Sequence, residues 1–228
     1  MSTDHTSVAK VRSRDGTAIA FDRTGDGPPI IFVGGAFEQR SDRGMTQLAA
    51  ILAPRFAVFN YDRRGRGDSD DTAPYAVERE VEDLEALIAA AGGSAFVFGM
   101  SSGGVLALEA ARRLPITRLA VYDPPFMVDD SGPQPPADHE AKLTELVSSG
   151  RPGDAVERLR SVTVPTLVID GEESDPRLRR AARALWAVLP DVQKRTLEGQ
   201  THEWAPEALA PALEAFFAGS TVRGRVEI

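Results

Sequence analysis

Ser101 sits at the centre of Gly99-Met100-Ser101-Ser102-Gly103, a G-x-S-x-G pattern. A serine hydroxyl is a weak nucleophile until a base takes its proton, and this spacing presents the hydroxyl on a sharp turn where a base can reach it. The glycines on either side let the backbone fold back without a Cβ in the way. Both flanks have the type such a turn requires. Ala95–Phe98 is short, apolar and aromatic-rich, as a buried parallel strand should be. Val105–Ala111 is rich in strong helix formers, and a helix starting there aims free N–H groups and a positive dipole end at the serine oxygen. The chemistry this implies is acyl transfer through a serine.

A base must then be found, and the chain has three histidines. His5 lies in a polar leading segment and His139 in a proline-flanked stretch. His202 lies in Gly199-Gln200-Thr201-His202-Glu203-Trp204, between the last predicted strand and the last predicted helix. His202 is therefore the expected base. The base needs a carboxylate to fix its tautomer and to stabilise the imidazolium that forms. Asp175, in the loop after the strand Pro165–Ile169, gives the chain order Ser, Asp, His and is favoured. Asp123, at the tip of the preceding strand before Pro124-Pro125, is the alternative. Glu172 and Glu173 are outside candidates. An oxyanion would be held by backbone N–H groups, one from Ser102 and one from the Gly34-Gly35-Ala36-Phe37 turn, where Ala36 is the expected donor.

The tract Asp62-Arg63-Arg64-Gly65-Arg66-Gly67-Asp68-Ser69 invites other readings. Its glycine spacing does not fit a dinucleotide fingerprint, and no helix opens at its end. Its arginines are flanked by Asp68, Asp70 and Asp71, which argues against an RNA-binding segment. Arg66-Gly67-Asp68 also spells an adhesion tripeptide, but no export signal accompanies it. A structural loop beside the Gly34-Gly35 turn is the reading retained.

These residues need a scaffold, and the hydropathy pattern supplies one. Val8–Arg12 and Ala18–Arg23 flank Asp15-Gly16 as a hairpin. Further strands are expected at Ile30–Val33, Phe56–Tyr61, Ala95–Phe98, Arg118–Tyr122, Pro165–Ile169 and Val192–Leu197. Helices are expected near Met45–Leu52, Tyr75–Ala91, Val105–Ala111, Arg177–Leu189 and Pro206–Phe217. Strands alternating with helices give an α/β fold: a mostly parallel twisted sheet with an antiparallel N-terminal hairpin and helices on both faces. In such sheets functional groups gather at the carboxyl ends of the strands, and every candidate above follows a strand.

The 228 residues suit a single domain. A net charge of −8 argues against nucleic acid as a partner, because phosphate binding needs a basic face. With no cysteine, thiolate nucleophiles and disulfides are excluded. No signal-peptide pattern or bilayer-length apolar run is visible, so the expected location is cytoplasmic and no membrane partner is expected.

Taken together, the chain resembles the α/β-hydrolase superfamily, in its cofactor-free serine-hydrolase type, from Val8 to about Gly219. The resemblance is carried by Gly34-Gly35-Ala36, Asp62-x-Arg64-Gly65-x-Gly67-x-Ser69, Gly99-Met100-Ser101-Ser102-Gly103 and Gly199-x-x-His202. It implies Ser101 as nucleophile, His202 as base and an acid at Asp175 or Asp123, with no metal or organic cofactor. Two features depart from the pattern. Gly34-Gly35 stands where relatives commonly have His-Gly, and residues 124–164 form a short, partly proline-rich interval where relatives insert a helical cap. The expected activity is hydrolysis of a small ester-like substrate (carboxylic ester, lactone or thioester) through an acyl-enzyme on Ser101. The alternative is a hydrolase scaffold with little turnover, acting as a small-molecule binding or assembly protein. Oligomeric state is not legible in the sequence.

Overall fold

The computed structural model describes residues 8–126 and 158–219. Eight strands form one sheet: β1 (Ala9–Arg12), β2 (Ala18–Thr24), β3 (Pro29–Val33), β4 (Ala57–Tyr61), β5 (Ala95–Met100), β6 (Ile116–Tyr122), β7 (Thr166–Gly171) and β8 (Val192–Leu197). Their order is β1-β2-β4-β3-β5-β6-β7-β8. Pairing is antiparallel for β1–β2 and β2–β4 and parallel elsewhere. The mixed sheet with its N-terminal hairpin is the expected α/β architecture. The helices of the described residues are α1 (Arg43–Leu52), α2 (Val77–Ala90), α3 (Ser102–Ala110), α4 (Pro176–Val188) and α5 (Pro206–Phe217), with a 3₁₀ turn at Arg158–Ser161. None is long and apolar enough to cross a membrane. Most of the interval read as a reduced cap, including the helical pattern near His139–Val147 and the start of Asp154–Leu159, lies outside the described residues.

Side-chain alternation along the central strands builds two cores. Ile31, Val33 and Val97 pack with residues of α2, α3 and α4 on one face. Ile30, Phe32 and Phe98 pack with α1 and α5 on the other. α1 shows the pattern most simply, burying Met45, Leu48, Ala49 and Leu52 at helical spacing. Each large side chain fully removed from water contributes about 1.5–3 kcal/mol before entropy is counted. The edge strand β8 instead exposes Lys194 and Arg195, charges that disfavour pairing with another chain. β5 runs two residues beyond its expected end because pairing with β6 continues through Met100↔Tyr122.

The loop after β4 is fixed by buried ion pairs to α2. Arg63 is bidentate to Glu80, with Nε to Oε2 at 2.6 Å and Nη2 to Oε1 at 2.7 Å. The Tyr75 hydroxyl donates to the same carboxylate at 2.7 Å. Arg64 is likewise bidentate to Asp83, at 2.8 and 2.7 Å, and reaches Asp15 at 3.0 Å. Asp62 accepts from the backbone N–H groups of Arg40 at 2.8 Å and Asp68 at 2.9 Å. The arginine-rich tract is thus a structural loop, with the charges of Asp62, Arg63 and Arg64 directed inward.

Burial would raise the Glu80 carboxyl, but the Arg63 charge and the hydrogen bonds from Arg63 and Tyr75 outweigh it and hold Glu80 below its ordinary value of 4.5. The folded carboxyl therefore titrates below the unfolded one. The stability it confers is fully present above pH about 4.5 and is lost as pH falls through the folded value. Glu80→Gln leaves Arg63 buried and unpaired, and is expected to cost about 3–5 kcal/mol at pH 7. In urea denaturation, the gap between wild type and variant should narrow below pH about 4.5, the range set by this linkage.

Candidate active site

Among the described residues, two other than glycine have positive φ, and they lie at adjacent strand tips. Ser101 has φ 51° directly after β5, and Asp123 has φ 44° directly after β6. Such conformations cost of order 1–3 kcal/mol for a residue with a Cβ, and they persist only where surrounding contacts enforce them. For Ser101 the enforcing contacts are tight. A Cβ on Gly103 would lie 2.2 Å from the Val33 carbonyl oxygen, and one on Gly99 would lie 2.6 Å from Gly104 Cα. The first turn of α3 therefore presses against both β3 and β5, which throws Ser101 outward at the junction. The Ser101 N–H donates to the Tyr122 carbonyl at 2.9 Å, and the Asp123 N–H to that of Ile169 at 3.0 Å. The two residues are thereby held side by side across the β5–β6–β7 edge.

His202 reaches the same rim from the loop after β8. Two anchors flank it. The Tyr122 hydroxyl donates to the Thr201 carbonyl, and Trp204 Nε1 donates to Met100 Sδ at 3.2 Å. Between them, His202 Nδ1 lies 3.3 Å from Asp123 Oδ2. Asp123 is fully buried, and Ser174 Oγ donates to that same oxygen. The other carboxylate oxygen, Oδ1, has no hydrogen-bond partner among the described residues.

The structure brings Asp123, not Asp175, to His202, reversing the preference drawn from chain order. Asp175 is exposed and caps α4: its Oδ1 accepts from the Arg177 N–H at 2.8 Å, and the Arg177 guanidinium adds two further bonds. Hydrogen bonds from the Arg177 side chain and backbone hold its carboxyl below the ordinary value. Glu172 accepts from the Gly199 N–H at 3.0 Å, and the Glu173 N–H donates to the Gln200 carbonyl at 2.9 Å. Both thus brace the histidine loop rather than the imidazole.

On the opposite side of Ser101 lies the Gly34-Gly35-Ala36 turn. The β3–β5 register, Val33↔Gly99, sets it beside the serine. The N–H groups of Ala36 and Ser102 have no acceptor among the described residues, as groups reserved for a ligand would be. Three residues that sequence reasoning did not place at the site are present here. Ser174 sits on Asp123, while Glu38 accepts from the Gly35 N–H. Arg66 Nη1 donates to the Gly35 carbonyl at 2.9 Å. Burial pushes the Glu38 carboxyl up, while the Gly35 N–H and the Arg66 guanidinium draw it back.

Comparison with known proteins places the chain in a family. The model of an alpha/beta hydrolase family matches residues 30–152. Among solved structures, an alpha/beta hydrolase from Sphaerobacter thermophilus is 45% identical with a TM-score of 0.80, the match covering 92% of this chain and all of that one. The esterase RhEst1 from a Rhodococcus species is 19% identical, with a TM-score of 0.73 over 94% of this chain and 99% of its own. A thermophilic esterase from Thermogutta terrifontis is 21% identical, with a TM-score of 0.74 over 93% and 98%. No curated protein matches the sequence. The two esterases support the fold, and the Sphaerobacter protein the family.

Because Asp175 serves as a helix cap, Asp175→Ala should lower the thermal midpoint by a few degrees. Its rate of reaction with a serine-directed probe should equal that of wild type.

Proposed function

The chain belongs to the alpha/beta hydrolase family, and from that premise we propose that it hydrolyses a small ester-like substrate through an acyl-enzyme on Ser101. The observation that carries this reading is the contact of His202 Nδ1 with Asp123 Oδ2 at 3.3 Å, on the rim where β5 delivers Ser101. In the proposed cycle His202 Nε2 takes the Ser101 proton as Oγ bonds to the substrate carbonyl carbon. Asp123 holds the imidazole tautomer and stabilises the imidazolium. The oxyanion is received by the N–H groups of Ala36 and Ser102, the kind of stabilisation whose loss costs about 10²–10³ in kcat. The tetrahedral intermediate collapses, the C–O bond to the alcohol breaks, and His202 returns the proton to the leaving oxygen. Water then repeats the sequence on the acyl-enzyme, His202 taking its proton, and the free acid departs with Ser101 restored.

The strain at Ser101 and Asp123 supports this assignment, since energy stored at two adjacent residues needs a reason beyond folding. So do the two unclaimed N–H groups, of Ala36 and Ser102, in the segments next to Ser101. Small substrates are proposed because the sequence interval between β6 and β7 is short for a covering cap.

A fluorophosphonate probe tests the reading directly. Wild-type protein should be labelled stoichiometrically, and Ser101→Ala should not. Turnover of nitrophenyl acetate should fall about four orders of magnitude in Asp123→Asn, the size seen when a triad carboxylate is neutralised. Absence of labelling in wild type would favour a binding scaffold of the same fold.

A further inference from the structure

Arg66 has no role in the cycle above, yet it is a half-buried cation turned toward the oxyanion turn. Its surroundings are unfavourable for a charge: burial and the nearby Arg63 guanidinium both pull its pKa below the ordinary value, with Glu80 opposing them. It forms no ion pair among the described residues. What it does hold is one carbonyl, that of Gly35, at 2.9 Å.

That carbonyl belongs to the Gly35–Ala36 peptide, which is trans. In a trans amide the C=O and N–H point to opposite sides of the plane. Fixing the carbonyl toward Arg66 therefore fixes the Ala36 N–H away from it. The preceding peptide is fixed in the same manner. Arg63 Nη1 donates to the Gly34 carbonyl at 3.3 Å, and the Gly35 N–H on the far side is taken by Glu38 Oε2. One donor of the turn is thus already bonded and the next is free. The turn lies close against the nucleophile, since a Cβ on Gly35 would be 3.3 Å from Ser101 Cβ and 3.2 Å from Glu38 Oε2.

We propose that Arg66 is a positioning residue for catalysis, clamping the Gly35–Ala36 peptide so that the Ala36 N–H is preset to receive the oxyanion. The inference rests on the acyl-transfer reading. Its energetic logic is preorganisation: an N–H that must rotate into place during reaction spends part of the stabilisation it would give. Arg63 and Glu38 set the peptide before it, and Arg66 sets the one that carries the donor. The clamp is absent from the substrate's ground-state contacts, so its effect belongs in kcat rather than KM.

The test compares Arg66→Met and Arg66→Lys with wild type on nitrophenyl acetate and on the fluorophosphonate, whose phosphoryl oxygen makes the same demand on the turn. In the Met variant kcat should fall about 10- to 100-fold, a fraction of the effect of deleting a donor outright. KM should stay within about twofold and phosphonate labelling should slow by a similar factor. The Lys variant, whose ammonium can reach the same carbonyl, should recover most of the loss. Thermal midpoints are measured alongside. Should the Met variant not fold, Arg66→Gln, polar but too short to reach, is read by the same criteria. An unchanged kcat, a loss confined to KM, or a loss that Lys does not restore would overturn the proposal. Wild type that reacts with the probe while the variants match it defeats this inference alone. Wild type inert to both reagents defeats the hydrolase reading and this inference together.

Discussion

The close approach of the start of α3 to the end of β3 is the constraint on which the site depends. Only hydrogen can occupy the Cβ position of Gly103, because the Val33 and Gly34 carbonyl oxygens lie where a methyl would be. With the helix that close, the chain has one residue in which to reverse direction, and Ser101 absorbs the reversal at positive φ. Its hydroxyl is forced to the surface of an otherwise buried junction, and the N–H of Ser102 is left open at the helix start. Contacts elsewhere serve to keep this junction rigid.

Rigidity comes chiefly from charge placed inside the protein. Buried ion pairs seldom add net stability over apolar packing, but breaking one is costly, so they act as fixed joints. Arg63 is such a joint: it connects α2 through Glu80, the Gly34-Gly35-Ala36 turn through the Gly34 carbonyl, and α3 through Ser102 Oγ at 3.1 Å. On the other side of Ser101, Tyr122 and Trp204 tie the histidine loop to β6 and β5. The two halves of the site are thereby anchored to the same central strands by different chemistry.

Much of this could be read from the chain itself. The apolar runs located the strands, and the G-x-S-x-G pattern between a strand and a helix located Ser101, because local sterics dictate both. The carboxylate partner of His202 was harder, since two loops end at the same rim and chain order does not say which carboxylate turns inward. Asp175-Pro176 did carry a usable signal: Asp followed by Pro at the first helical position is a helix start, and a capping carboxylate is already engaged. Asp123 gave no such mark, because its approach to His202 depends on a positive φ that only the neighbouring strand enforces. Ser174, Glu38 and Arg66 were illegible for a similar reason. Each acts through a partner far away in the chain or through one peptide plane, and neither periodicity nor spacing encodes that.

The attachment of Arg63 to α2 has a consequence for how the protein would fail. α2 lies outside the sheet, yet it is packed as deeply as the strands: Leu84 and Leu87 are fully buried, Glu80 holds Arg63 and Asp83 holds Arg64. Lifting α2 from the surface would therefore break both buried ion pairs and return its apolar face to water in one event. The turn beside Ser101 would keep Arg66 and Glu38, but Arg63 would lose the carboxylate that orients it. Order at the turn is thereby tied to the docking of one helix, and a disturbance of either is felt by the other.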